Sequence, residues 1–202
     1  MVRDIQLKTQ AADAAMRAMF EARKKVFVDL LQWELPVLAG RYELDQFDNP
    51  DAHYLILSET DGTHLASARL LPTTGPHLLD SQFAELADEP IPHGPSVYEI
   101  TRFCLDRQLT AIQRREARDR LVRGLVDFAL EKQITTYTGV AEPAWLRQIL
   151  TFGWDAHALG QARFVNGMLL AALRIEVAAD TPDLLDRAGI IERQTCLRAE
   201  AA

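Results

Sequence analysis

The chain is short of cysteine, of positive charge and of long apolar runs, and each shortage removes a class of explanation. Two cysteines in 202 residues, Cys104 and Cys196, do not make a disulfide framework, so a reducing cytoplasm is the expectation. No hydrophobic stretch approaches the ~18–20 residues of a membrane-spanning helix. The opening residues, MVRDIQLKTQ, lack the apolar core of a secretory signal. Lys and Arg number 22 against 29 Asp and Glu, a net charge of −7, which suits nucleic acid poorly because such binding asks for a basic face. The five histidines, His53, His64, His77, His93 and His157, show no zinc-type spacing, so no metal site is expected. Phosphate-cradling glycine loops and the strained serine elbow of hydrolases are both missing. What is present, 48% hydrophobic and 25% charged residues without repeats or linkers, describes a single domain over 1–202 with one sizeable core.

Helical spacing of Ala15, Met16, Met19 and Phe20 predicts a helix over 11–26, ending on Arg23, Lys24 and Lys25. A short turn at 30–33 is stopped by Pro36. Residues 40–51, GRYELDQFDNPD, read as an irregular loop. HYLILS (53–58) and HLASARLL (64–71), joined at Asp61-Gly62, predict a hairpin. A short helix over 78–86 and a strand over 97–105 follow. The longest helix, 111–132, carries a stripe of Leu121, Val122, Leu125, Phe128 and Ala129. A strand over 134–140, a helix over 142–151 closing near Gly153, and one or two strands within 164–177 complete the pattern. The tail from 180 to 202 is expected to be peripheral, with a short helix at most. This order predicts an α/β sandwich on a mixed sheet with one right-handed βαβ unit, not a doubly wound parallel sheet.

Cys104 falls in a strand without a neighbouring base and reads as a buried structural thiol rather than a nucleophile. What remains is a set of carboxylates and arginines. Glu43, Asp45 and Asp48 share one loop, Glu99 and Arg102 share one strand, and Arg23 and Arg69 come from separate elements. The loop acids alone read equally well as surface charge. A calcium loop fits less well, because the EF-hand spacing is absent. Arg69 and Glu99 interrupt apolar strands, and a charge there needs a partner or a ligand.

In order and spacing, Arg23-x-x-x-Phe27-x5-Trp33, Glu43-x-Asp45-x-x-Asp48, Arg69 and Glu99-x-x-Arg102 resemble the skeleton of the acyl-homoserine lactone synthases, the bacterial autoinducer synthases. FDNPDAHYLI, SARLLPTT and YEITRF resemble that family's wording as well. The likeness is strong over 23–102, looser to about 177 with help from Gly153-Trp154 and Leu159-Gly160, and nothing specific follows 179. It implies a GNAT-like three-layer α/β/α sandwich with a mixed, mostly antiparallel twisted sheet, in which residues 1–50 form the S-adenosylmethionine pocket. It implies two substrates, S-adenosylmethionine and an acyl thioester, usually on acyl carrier protein. The amine is acylated, the carboxylate closes the lactone, and methylthioadenosine leaves. S-adenosylmethionine is then a consumed substrate, and no cofactor is expected. Two departures are visible: Thr101 stands where many members have Ser, and Ala162 where a Pro is common.

On that resemblance, Asp45 and Asp48 face the cationic groups of S-adenosylmethionine, with Phe27 and Trp33 as pocket walls. Plain core packing is the other reading of both aromatics. Arg23 or Arg102 takes the substrate carboxylate, Thr101 supplies a hydroxyl, and Arg69 orders the acidic loop. Glu99, on a rigid strand, is the first candidate for the base that deprotonates the amine, and Glu43 the second. An ion-pair network with Arg23, Arg69 and Arg102 is the structural alternative for both. Phe103, Leu125, Phe128, Thr138, Val140, Trp145 and Leu146 would line an apolar acyl tunnel. Lys24, Lys25, Arg114, Arg115 and Arg118 would dock an acidic carrier protein, or form a solvated face with Glu116 and Asp119. The stretch LDRQLTA lacks the glycine-rich turn that cradles coenzyme A pyrophosphate, which favours the carrier protein over an acyl-coenzyme A. Two rivals stand: an ordinary GNAT acyltransferase using acyl-coenzyme A and another amine, and a non-catalytic S-adenosylmethionine-binding module.

Overall fold

Apolar side chains alternate onto both faces of the strands, so helices must cover both. The structure is a computed structural model describing residues 2–4 and 10–191; the tail from 192, with Cys196, lies outside the described residues. The chain runs through β1 (Val2–Asp4), α1 (Gln10–Arg23), a π-helical turn (Lys24–Val28), the ribbon β2 (Val37–Leu38) and β3 (Tyr42–Glu43), β4 (His53–Ser58) and β5 (His64–Pro72). Next come α2 (Leu78–Gln82), a 3-10 turn (Ala84–Leu86), β6 (Val97–Leu105), α3 (Ala111–Lys132), β7 (Thr136–Ala141) and α4 (Pro143–Ile149). β8 (Asp155–Ala158), β9 (Arg163–Val165), β10 (Met168–Glu176) and α5 (Thr181–Arg187) end it. Eight strands form one sheet in the order β1-β4-β5-β6-β7-β10-β8, with β9 on β10. Among the described residues only β6 and β7 are parallel, and α3 is the crossover that parallel neighbours require. Among the described residues no helix is long and apolar enough to cross a membrane.

Leu55 and Leu57 of β4 and Ala66, Ala68 and Leu70 of β5 pack under α3 against Leu121, Val122 and Leu125. Each aliphatic side chain of this size stabilises by about 1.5–3 kcal/mol when fully buried. The alternate residues Tyr54 and Ile56 meet Met16 and Met19 of α1 on the opposite face. Beside α1, Leu79 and Leu86 cover Leu170 and Ala172 of β10. α4 and α5 bring Leu146, Ile149 and Leu185 to the α3 side, completing the expected three layers. A capping box between Thr110 and Gln113 starts α3, and Gln133 in the left-handed conformation ends it.

Two irregularities in β6 shape the site. Arg69 pairs with Thr101 but Ser67 with Cys104, so β6 holds one residue more than β5. The extra residue is Arg102, at φ +51°, a conformation that costs a non-glycine residue about 1–2 kcal/mol. Val97, Glu99 and Thr101 face the α1–α2 layer and are buried, while Tyr98 and Ile100 pack on the α3 side. Past the bulge, Phe103 and Leu105 are on the α3 side and Cys104 on the other. The second irregularity is a parting: β6 and β7 pair from Val97–Thr136 to Ile100–Gly139 and no further, although both continue. A Cβ on Gly139 would lie 3.1 Å from the Ile100 carbonyl oxygen, so the strands lie close together just before they separate.

Several elements differ from the sequence expectation. The first helix does not run to 26: its hydrogen bonds lengthen to i+5 at Asp29→Lys24 and Leu31→Val26, which lets Phe27 turn inward. The loop over 40–51 contains β3, and β8 was not anticipated because DAHA is short and half-exposed, with no apolar period. Burial raises the Cys104 thiol to about 12, in keeping with a structural role.

Gly153 and Gly160, in the two late motifs, have steric reasons. A Cβ on Gly153, at φ +94°, would lie 2.5 Å from the Leu184 carbonyl oxygen, and one on Gly160 2.5 Å from that of Leu86. Gly153→Ala should therefore cost about 2–4 kcal/mol, through the wrong φ and the clash with α5 together. The expected result is a lower urea midpoint at unchanged m-value; a midpoint equal to wild type would contradict it.

Candidate active site

Three arginines from three elements converge on the loop that carries three acids. Arg23, the last residue of α1, donates Nε to Glu43 at 2.5 Å and both terminal nitrogens to Asp48 at 2.8 and 2.9 Å. Arg69 of β5 binds Asp45 in the same bidentate way at 2.6 and 3.0 Å, reaches Asp48 at 2.9 Å, and donates Nε to Thr101 Oγ1 at 2.9 Å. Arg102, lifted by the bulge, spans Glu43 at 3.1 Å and Asp45 at 2.7 Å. Each acid thus touches two arginines and each arginine two acids, in a closed ring: Arg23, Glu43, Arg102, Asp45, Arg69, Asp48 and back to Arg23. The Tyr54 hydroxyl and the Asp45 amide add donors to Asp48 at 2.9 and 2.8 Å.

The ring is electrically neutral and almost wholly buried. Its reachable edge is Asp45 and Arg102, with side chains 9% and 7% exposed against 1% or less for the other four. Burial alone would raise the Asp48 carboxyl, but the Arg23 and Arg69 guanidiniums overcome it and hold the group well below the usual carboxylate range. Asp45 is lowered in the same manner, against burial, by Arg69 and Arg102. Burial opposes the charge of Arg23, and Asp48 and Glu43 more than restore it. Phe27 and Trp33 stack with centroids 5.0 Å apart, and the Arg102 guanidinium lies 5.6 Å over the Phe27 ring.

Glu99 stands outside the ring. It is fully buried, and its oxygens accept the first amides of α2, Leu78 N–H at 2.6 Å and Leu79 N–H at 2.8 Å. Burial raises its carboxyl above the ordinary range, and the two amides, His77 and Arg69 offset this only in part. Thr138 lies beside it in register on β7, and its buried hydroxyl has no partner among the described residues.

The residues expected to form an acyl tunnel are divided between faces. Phe103, Leu125, Phe128, Trp145 and Leu146 belong to the core under α3, with Phe103 and Trp145 rings 5.1 Å apart. Val140 packs on the opposite face, to which Thr138 also points. The parting of β6 and β7 lies between the two groups. Among the expected docking residues, Lys24 pairs with Asp29, Arg118 and Arg115 with Asp119, and Arg114 binds the Asp106 carbonyl. Lys25, Arg107 and Arg115 remain exposed. Two polar groups around the site escaped the sequence reading. Tyr54 is signalled only by being the polar-tipped member of an apolar strand, and His77 only by preceding the Leu-Leu pair of a short helix.

A mostly antiparallel sheet with one parallel pair that parts, helices on both faces and a buried charged ring beside the bulged strand β6 define a GNAT-like acyltransferase. The family model of the autoinducer synthases matches residues 7–183, and the chain belongs to that family, the acyl-homoserine-lactone synthases. It is 35% identical over 179 residues to an acyl-homoserine-lactone synthase of Ralstonia nicotianae, covering 85% of each chain. It is 37% identical over 169 residues to one of Rhizobium etli, covering 82% of this chain and 79% of that one. Among solved structures it is similar to BjaI, a CoA-dependent acyl-homoserine lactone synthase with SAM and isopentyl-CoA. The TM-score there is 0.82 at 27% identity, covering 94% of this chain and 89% of that one.

Asp48→Asn would leave two buried guanidiniums under-neutralised and should cost about 3–5 kcal/mol. Because the native carboxyls of Asp45 and Asp48 are depressed, their stabilisation is complete above the unfolded value of about 4 and is lost as pH falls below it. Thermal melting of the wild type should drop steeply below about pH 4, and the variant, already destabilised at pH 7, should show a shallower drop. Parallel curves for the two proteins would contradict this reading.

Proposed function

We propose that this synthase acylates the amine of S-adenosylmethionine with a chain delivered on acyl carrier protein in preference to coenzyme A, and that Glu99 is the base. The observation that carries the reading is the contrast between two buried acids. Glu43 is neutralised by two arginines, whereas Glu99 has no ion-pair contact among the described residues and a carboxyl raised by burial. A carboxylate held by two guanidiniums is a poor proton acceptor; one poised nearer neutral pH is a better one.

S-adenosylmethionine brings an ammonium, a sulfonium and a carboxylate. The exposed edge of the ring supplies a match: Arg102 for the carboxylate, Asp45 for a cationic group, and the Phe27–Trp33 stack as an aromatic wall. Arg23, Arg69, Asp48 and Glu43 lie behind that edge and hold it in place. Glu99 takes a proton from the ammonium, and the freed amine attacks the thioester carbonyl. Backbone amides of β6 beyond Ile100, on the side that β7 has left, suit the developing oxyanion. Collapse of the tetrahedral adduct releases the thiolate, which regains a proton. The substrate carboxylate, already tethered, then displaces a neutral thioether, methylthioadenosine, and closes the lactone. S-adenosylmethionine is consumed, and no cofactor enters. The acyl chain runs through the parting of β6 and β7 toward Phe103 and Trp145.

The preference for a carrier protein rests on the glycine-free segment after β6 and on the exposed Lys25, Arg107 and Arg115 around it. Direct use of acyl-coenzyme A is the second reading, favoured by the likeness to a CoA-dependent synthase. Mass spectrometry on purified protein with S-adenosylmethionine and matched acyl-carrier and acyl-coenzyme A thioesters separates them. An acyl-homoserine lactone appearing with methylthioadenosine, faster from the carrier protein, is expected. Faster product from coenzyme A overturns the donor preference; acyl transfer without methylthioadenosine overturns the reaction. Glu99→Gln should lower kcat by at least about 100-fold while S-adenosylmethionine still binds.

A further inference from the structure

Away from the ring, a cleft of about 480 Å³ opens where β4 begins and β5 ends, a volume in the range of small-molecule sites. Its walls are two loops, residues 49–51 and 74–76, and its floor includes His53 and Tyr98. Both loops are fixed from within. The Asn49 side chain accepts the Asp51 amide hydrogen at 2.9 Å, and the Asn49 carbonyl accepts that of Ala52 at 3.1 Å. Gly75 N–H donates to the Pro72 carbonyl at 3.3 Å, and the buried Thr73 hydroxyl donates to the carbonyls of Gly94 and Val97. The floor is equally set: the His53 ring lies 5.9 Å from that of Tyr98 and 5.5 Å from that of Phe128. Within this settled shape the polar groups are unspent. His53 Nδ1 is buried and has no partner among the described residues, a costly arrangement unless a ligand or water completes it. The Asp51 carboxylate and the hydroxyls of Thr74 and Tyr98 form no hydrogen bond or ion pair among the described residues. No lysine or arginine lines the cleft, and Asp51 gives it a negative sign.

We propose that this cleft binds a small organic cation, an amine or guanidino compound, and that its occupant strengthens S-adenosylmethionine binding by holding the two loops together. The chemistry of the lining selects the ligand. A donor-rich cation meets the Asp51 carboxylate with charge-assisted hydrogen bonds, leaves donors for Thr74 and His53, and lies against the Tyr98 ring. An anion would face Asp51 with no basic side chain of the lining to offset it. The connectivity of the walls selects the effect. Residues 49–51 follow directly on Asp48, whose two oxygens Arg23 grips. Residues 74–76 lead through His77 into the α2 amides that hold Glu99. A ligand that bridges the loops thus fixes the spacing between the charged ring and the helix that carries Glu99. This coupling rests on the reading of the ring edge and Glu99 as the parts that handle S-adenosylmethionine; the cleft itself does not.

Agmatine, which carries a guanidinium and an amine, is the probe, titrated by calorimetry into the full chain. Saturable binding at about 1 mM or tighter is expected. It should weaken about fivefold in Asp51→Asn and stay unchanged in Glu59→Gln, an exposed carboxylate elsewhere on the surface. Gly75→Leu is a second variant. Its backbone is not in the left-handed region, and a Cβ there meets only the Pro72 carbonyl oxygen at 3.9 Å, so bulk is added to the wall without strain and binding should be lost. In 15N-histidine-labelled wild type the His53 ring signals should move as agmatine is added. S-adenosylmethionine affinity should rise about fivefold at saturating agmatine. No saturable binding, equal binding in Asp51→Asn, or His53 signals that stay in place overturn the site. Inorganic phosphate binding as tightly as agmatine overturns the ligand class. Agmatine binding that leaves S-adenosylmethionine affinity unchanged overturns the coupling. A protein that binds agmatine but no S-adenosylmethionine overturns the reading of the ring edge, and the coupling with it.

Discussion

The site depends on a closed ring of alternating charge. Taking an ion out of water costs several kcal/mol, and a buried pair recovers this only when its geometry is good and its remaining hydrogen-bonding capacity is filled. Here six ions are buried together, and closure gives every one two opposite neighbours. The ring also decides tertiary structure. It fastens the end of α1, the strand β3 and its following turn to β5 and β6. That explains why residues 40–49 hold one shape despite having little regular secondary structure. It also explains why α1 gives way to a π-helical turn immediately after Arg23, since the chain must leave the helix to bring Phe27 and Trp33 beside Arg102.

Against that ring, Glu99 shows how one sheet runs two kinds of acid. Asp45 and Asp48 are held ionised by guanidiniums at hydrogen-bond distance, whereas Glu99, on β6, accepts two backbone amides and is raised by burial, which those amides, His77 and Arg69 offset only in part. Carboxyls whose environments push their acidity in opposite directions are a recurring sign of divided labour, one set binding and one moving protons. The division follows from register: Thr101 is opposite Arg69, and Glu99, two residues earlier on the same face, is opposite Leu71.

Much of this was legible in the sequence, for physical reasons. β4 to β7 and α3 show their periods plainly, because each buries apolar residues at fixed intervals. Arg69 was visible as a charge out of place, and the other five ring members as part of an ordered resemblance. Their pairing was not, since partners lie 20 to 59 positions apart along the chain. Sequence alone ranks Glu99 before Glu43 as candidate base; the contacts show that Glu43 is bound by two arginines and Glu99 by two backbone amides. The bulge was illegible because Arg102 occupies a left-handed position without the glycine that usually marks one. The acyl-tunnel residues form one set in the sequence, but alternation along β7 sends Thr138 and Val140 away from Tyr137, which donates its hydroxyl to the Leu125 carbonyl on the α3 side.

Arg102 has a last implication. Strike it out, and the remaining residues of β6 fall into unbroken alternation: Thr101 on the pocket side, Phe103 beneath α3, Cys104 on the pocket side again, all in step with β5. The better-paired strand is thus one residue shorter and leaves Glu43 and Asp45 each with one guanidinium fewer. Selection for a regular sheet and selection for a binding edge pull this strand toward different lengths. A search for stabilising changes guided by backbone regularity alone would delete the residue that closes the charged ring at its exposed edge.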